Sequence, residues 1–314
     1  MPDIASNIQA VILPTLGQEP GLSNGLKSWL LKGQYGIDRS ENSADLKFDQ
    51  VRLDNIIPYI SFDFERFALA SWETFSVATL ESSGKGLVGW PLIKLYYSGF
   101  YAAHAIMRAC GSGVVVLDGK LALEIGQIAQ AYGVPAGVIG TGQYSYEVSS
   151  SSSDLSVVLS PMVTRGGVHE SFWTQFCAFL DRTAEQSIMQ AAPESANFLA
   201  GVVDVVDALS YPGAKYGGWL SKIRNDINYQ QMYESWYPFP KTSQSVSAIS
   251  GVCYKPSGTI NIGSSKEKNP VKGFVEASVY LACLCFEISD FVSKRSTKGK
   301  AFGQKWRRLL EAVK

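Results

Sequence analysis

The clearest pattern in the chain lies between Pro91 and Ala109. Leu92, Tyr96, Tyr97, Phe100, Tyr101, His104 and Met107 recur at three- and four-residue steps and form one broad helical stripe. Gly99, Ala102, Ala103 and Ala105 lie between them and would let a neighbouring helix come close. Pro91 suits a first helical turn, and Gly111 and Gly113 suit the end. Similar periodicity predicts helices from Phe64 to Phe75, Leu121 to Tyr132, Glu170 to Gln190 and Ala196 to Leu209. Further helices are expected from Gly218 to Trp236, from Val271 to Lys294 behind Pro270, and from Phe302 to Val313.

Alternation of period two is confined to the middle of the chain. Gly142 to Val148 and Leu155 to Leu159 read as the arms of a β-hairpin, with the serine run Ser149 to Ser153 at its tip. Gly113 to Lys120 reads as a strand followed by a turn, or as a buried linker. Residues 1–50 read as an extension, with a short helix near Leu22 to Leu31 and a polar, turn-like stretch from Asp38 to Lys47. Gln244 to Ser265 is rich in serine and glycine and reads as a second hairpin or a loop. The expected fold is therefore mainly α, a helical bundle with β-hairpin insertions. The bundle spans 51–110 and 169–294, the inserted β region 111–168, and a basic tail helix 295–314.

Composition narrows the functional classes. The 314 residues are 46% hydrophobic and 18% charged, which fits an ordered globular protein. Basic and acidic residues balance at 28 each, so overall charge gives no case for nucleic acid. The tail differs: Lys294 to Lys314 holds Lys294, Arg295, Lys298, Lys300, Lys305, Arg307, Arg308 and Lys314 against the single acid Glu311. Phe302 and Trp306 are interleaved with them. Lys298, Lys300, Lys305, Arg307 and Arg308 are thus candidate phosphate contacts, with a solvated terminal helix as the plainer reading. The five cysteines are scattered, and Cys283 and Cys285 point to different helix faces, so neither a disulfide framework nor a metal site is expected. The start of the chain lacks the pattern of a signal peptide, and no run of about 18 apolar residues exists. A cytoplasmic protein without a membrane span is expected.

Candidate chemistry centres on Ser221 to Tyr229. Arg224 and Asn228 share a helix face with Gln231 beyond, while Asn225, Tyr229 and Met232 occupy the adjacent face. Ile223, Ile227 and Trp236 suit the core side. An inward-facing Arg-Asn pair is costly unless it is hydrogen-bonded or binds something. Other signatures fail. Gly113 to Lys120 lacks the spacing and hydroxyl of a phosphate-binding loop, there is no Gly-x-Ser-x-Gly elbow, and Asp118-Gly-Lys120 is a plain turn as readily as a nuclease motif. No cofactor motif is present, and none is expected to be needed.

Together, Tyr96-Tyr-Ser-Gly-Phe-Tyr-Ala-Ala-His-Ala105 and Arg224-Asn225 resemble the two signature helices of the HEPN domains. That family's second motif continues to a histidine, where this chain has Tyr229, Gln230 and Gln231. The resemblance implies a helical bundle, often dimeric, from a prokaryotic defence or toxin-type system that binds or cleaves RNA or handles nucleotides. It implies a site of Arg224, Asn225 and Asn228 flanked by Tyr229 and His104. Metal-independent RNA cleavage needs a base for the 2′-hydroxyl and an acid for the leaving oxygen. Histidine serves both, whereas arginine stabilises charge but does not exchange protons at neutral pH. His104 is then the candidate proton carrier, with a hydrogen-bonded core histidine as the alternative. His169 precedes a helix and could contact phosphate with Arg165, with a surface loop residue as the plainer reading. A catalytically inactive HEPN-like scaffold or regulatory subunit of a larger complex is the competing expectation.

Overall fold

A computed structural model describes residues 25–38, 44–82, 88–134, 139–150, 155–163, 167–189, 205, 206, 209, 217–236, 270–296 and 299–311. The element order is α1 (Leu26–Leu30), β1 (Gly36–Asp38), β2 (Leu46–Val51), α2 (Leu53–Ser82), α3 (Gly89–Ala109), β3 (Ser112–Leu117), α4 (Gly119–Ala131), β4 (Gly142–Ser150), β5 (Leu155–Pro161), α5 (Val168–Met189), α6 (Gly218–Gln230), α7 (Pro270–Arg295) and α8 (Gly299–Glu311). The protein is mainly α, as the periodicities predict, with one antiparallel sheet among the described residues. Most of the expected Ala196–Leu209 helix, the Gln244–Ser265 segment and Lys298 lie outside the described residues.

Helices α2, α3 and α7 form the centre of the bundle. Small polar residues set the α2–α3 contact: the Ser71 and Ser98 hydroxyls each donate to the other's backbone carbonyl, both at 2.9 Å. Against α7 the close approach foreseen at Gly99 is realised. A Cβ there would lie 3.1 Å from the Ser278 Cα. The Tyr96 ring stacks on Phe274 of α7, 6.1 Å between centroids. Gly99→Ala is expected to be nearly neutral, because helix propensity offsets a few tenths of an ångström of adjustment. Gly99→Leu is expected to cost about 1–3 kcal/mol by overpacking, read by urea denaturation. Equal stability of the two variants would show that this crossing is loose.

The sheet order is β1-β2-β5-β4-β3, antiparallel throughout. The β4–β5 hairpin is as expected, but two other expectations are corrected. The stretch expected to be turn-like from Asp38 to Lys47 enters strand β2 at Leu46, and Gly36–Asp38 is already a strand, so the N-terminal region supplies two strands. β2 alternates inward and outward, with Leu46, Phe48 and Val51 buried. Its register shifts between Phe48 and Val51, where Gln50 takes φ 52°. The segment 111–168 holds three strands and helix α4, and β5 pairs outward with β2. Trp29, Tyr35 and Phe48 cluster between α1 and this edge, with ring centroids 4.7–5.9 Å apart. Asp118 is the N-cap of α4, its carboxylate accepting from the Leu121 N–H at 3.0 Å. That accounts for Asp118 without a nuclease role.

Helix α6 also ends earlier than its pattern implies, at Gln230. Gln231, Tyr233 and Glu234 all have positive φ (53°, 64° and 48°), and the chain folds back. Trp236 donates its indole N–H to the Ile227 carbonyl at 2.7 Å and packs edge-on against Trp90. Helix α8 docks through Phe302, whose ring meets Phe64 at 5.7 Å. Lys300, Lys305, Arg307 and Arg308 face outward, with Lys305 Nζ 4.0 Å from Glu65 Oε2. Among the described residues no helix is long and apolar enough to cross a membrane.

Candidate functional site

Helix α6 begins after Gly217, whose left-handed φ of 70° lets the backbone pass within 3.1 Å of the Trp173 side chain at a would-be Cβ. The turn points the first half of α6 at α3 and α5. Arg224 comes inward as a result and is 6% exposed. Its guanidinium carbon lies 5.2 Å from the Tyr96 ring centroid and 5.7 Å from that of Tyr97. It has no carboxylate partner among the described residues, and its Nε is buried without a hydrogen bond.

Tyr96 organises this site. Its ring is fully buried, and its hydroxyl accepts from the Trp173 indole N–H at 3.1 Å and lies 3.0 Å from His169 Nδ1. Burial raises the Tyr96 pKa, against the opposing Trp173 hydrogen bond and Arg224 charge, so the group is a phenol at neutral pH. Burial first, and the neighbouring Arg224 charge second, pull His169 down to about 4. Its imidazole is therefore neutral at pH 7. Trp173 can only donate, so Tyr96 satisfies both neighbours by donating its one proton to His169 Nδ1. This leaves the imidazole proton on Nε2.

The expected site residues separate in space. Asn225 and Asn228 are half-buried on α6, and Tyr229 is 73% exposed at its outer end. His104, one helical repeat beyond Tyr97 on α3, does not join Arg224. It is buried between Phe67 and Phe172, with centroids 4.7 and 3.8 Å away. Its Nδ1 lies 3.1 Å from Arg108 Nη1. Arginine only donates, so Nδ1 accepts. Burial, then the charge of Arg108, hold its pKa well below the ordinary value. The histidine that meets Arg224 is His169, which lies half-buried at the start of α5 and not on the open surface. Its sequence signals were Arg165 nearby and the helix start at Glu170-Ser-Phe-Trp173.

The described cysteines, Cys110, Cys177, Cys283 and Cys285, are free. Burial pushes the thiols of Cys110, Cys177 and Cys285 up to about 12, so they are not nucleophiles at neutral pH. Among the described residues no group of three or more His, Cys, Asp or Glu side chains could hold a metal ion. The Arg224 site can therefore offer a fixed positive charge and a phenol hydrogen-bonded to a neutral imidazole. Comparison with known proteins found no matching family model, curated protein or solved structure.

Proposed function

We propose that this chain is an HEPN-like helical protein that binds RNA through the Arg224 face and cleaves it without metal. The observation that carries this reading is Arg224 itself. A guanidinium 6% exposed, with no carboxylate partner among the described residues, is costly as it stands. A phosphate would neutralise it. Tyr96 and Tyr97 hold the guanidinium in place, and Asn225 and Asn228 on the same helix extend the polar face. A phosphate bound there would also cancel part of the charge that depresses His169, and so raise its pKa towards the working range of a general base. Tyr96 then takes the proton of the 2′-hydroxyl as its own passes to His169 Nδ1, the imidazolium gives its Nε2 proton to the leaving 5′-oxygen, and Arg224 stabilises the charged phosphorane. The outward cations of α8, Lys300, Lys305, Arg307 and Arg308, supply a secondary track for the strand.

The test uses the full chain with labelled single-stranded RNA and tRNA in EDTA, beside Arg224→Ala and His169→Ala. Arg224→Ala is expected to weaken binding at least tenfold and to reduce the salt slope by about one. His169→Ala is expected to keep binding and lose cleavage. Binding that ignores salt and Arg224 would sink the RNA reading. Tyr229, Gln230 and Gln231, which stand where the family motif has histidine, favour the second reading, an inactive HEPN-like subunit of a larger complex. RNA binding without cleavage in the parent chain would move the conclusion there.

A further inference from the structure

A cleft of about 430 Å³ lies beside the second half of α3, away from Tyr96 and Arg224. Phe100 is a wall common to both places. Its ring is 4.5 Å from His169 and 4.7 Å from His104, and it lines this cleft. Besides His104, four polar side chains, each more than nine-tenths buried, line the interior: Asp63, Arg108, Gln143 and Tyr146. Each carries one buried atom without a hydrogen bond: Asp63 Oδ1, Arg108 Nε, Gln143 Oε1 and the Tyr146 hydroxyl. Their other polar atoms are engaged. Asp63 Oδ2 accepts from the Leu26 N–H at 3.1 Å, Arg108 Nη2 donates to the Val114 carbonyl at 3.0 Å, and Gln143 Nε2 donates to the Val168 carbonyl at 3.5 Å. Asp63 Oδ1 is 2.8 Å from Arg66 Nε, but the N–H is not aligned on it. Buried polar atoms without a hydrogen bond are rare in folded proteins, and here four of them belong to residues that line one cleft.

We propose that this cleft binds a free nucleoside monophosphate. The interior offers two acceptors (Asp63 Oδ1 and Gln143 Oε1), one donor (Arg108 Nε) and one hydroxyl that does either. A heterocycle whose edge mixes N–H groups with ring nitrogens or carbonyls pairs with that set, whereas a hydrocarbon or a simple carboxylate does not. Phe67 and Phe100 also line the cleft and give a base partly exposed aromatic side chains to pack against. Lys27 and Arg66, with side chains 37% and 45% exposed, stand nearer solvent, where a phosphate would sit. Charge agrees. Three cations line the cleft against Asp63 alone, and crediting Asp118, 3.6 Å from Lys27 Nζ, still leaves one positive charge over. The volume falls within the range of about 300–1,000 Å³ usual for small-ligand sites.

The experiment is calorimetric titration of the full chain with GMP, guanosine, ribose 5-phosphate and inorganic phosphate. GMP is expected to bind at least tenfold more tightly than any of the other three, of which guanosine lacks the phosphate and the other two lack the base. Arg66→Ala and Tyr146→Phe, which remove one exposed cation and one unpaired hydroxyl, are each expected to weaken GMP at least fivefold while leaving RNA affinity in place. Arg224→Ala is expected to leave GMP unchanged. No heat with GMP, AMP, CMP or UMP at millimolar concentration would overturn the proposal. So would GMP binding that follows Arg224→Ala and ignores Arg66→Ala and Tyr146→Phe, since the nucleotide would then occupy the RNA face.

Discussion

Asp63→Ala is expected to lower the free energy of unfolding by about 3–5 kcal/mol. The Asp63 carboxylate is 3% exposed, accepts the Leu26 N–H at 3.1 Å, and lies 3.9 Å from Arg108 Nε. Arg108 is itself 3% exposed, its guanidinium carbon 4.3 Å from the Phe67 ring centroid. Removing the acid leaves a buried guanidinium without its counter-charge and a buried backbone N–H without an acceptor. It also empties the space against Gly25, where a Cβ would lie 1.9 Å from Asp63 Oδ1 and φ is 52°. Asp63→Asn retains an acceptor for Leu26 and loses only the charge, so it is expected to cost roughly half as much. The double change Asp63→Leu with Arg108→Met removes both charges and is expected to be less damaging than Asp63→Ala alone. Urea denaturation of these three proteins, together with Asp63→Leu and Arg108→Met singly, measures this. A double variant as unstable as the sum of its single changes would show that the pair does not interact.

This pair also shows where reading the sequence stops. Helices α3 and α7 were legible because their signals are local: an unbroken apolar stripe, and a proline at each start. The β4–β5 hairpin was legible for the same reason, with two alternating runs joined by a serine-rich tip. Strands β1 and β2 were not. β1 has three residues, and β2 is stabilised by β5, more than a hundred positions away. Lys47 and Asp49 within β2 look like a polar turn until that partner is known. The site divides in the same way. Arg224 and Tyr96 could be singled out by residue type on amphipathic helices. His169 could not, because what makes it unusual is Tyr96, 73 positions earlier in the chain. Asp63 and Arg108 are likewise ordinary charges on ordinary helices until α2 and α3 are packed together.

The second large effect is on the pH dependence of stability. Burial holds both His104 and His169 below the unfolded-chain value of about 6.5. Between pH 6.5 and the folded values, the unfolded chain binds more protons than the folded one, so stability falls as pH falls. The contribution is fully present above about pH 6.5. For His169, drawn down to about 4, the loss on acidification would reach ~3 kcal/mol at full burial. Its half-exposed ring reduces this to ~1–2 kcal/mol. Glu287 works the other way. Burial raises it to about 7, so the folded state takes up a proton first and gains stability as pH falls towards its unfolded value. The three contributions separate by substitution. His169→Gln and His104→Gln are each expected to flatten the decline in thermal midpoint between pH 6.5 and 5, whereas Glu287→Gln is expected to steepen it. If the double histidine variant declined as steeply as the parent, the acid sensitivity would belong to carboxylates elsewhere, and the neutral imidazole placed beside Arg224 would lose its support.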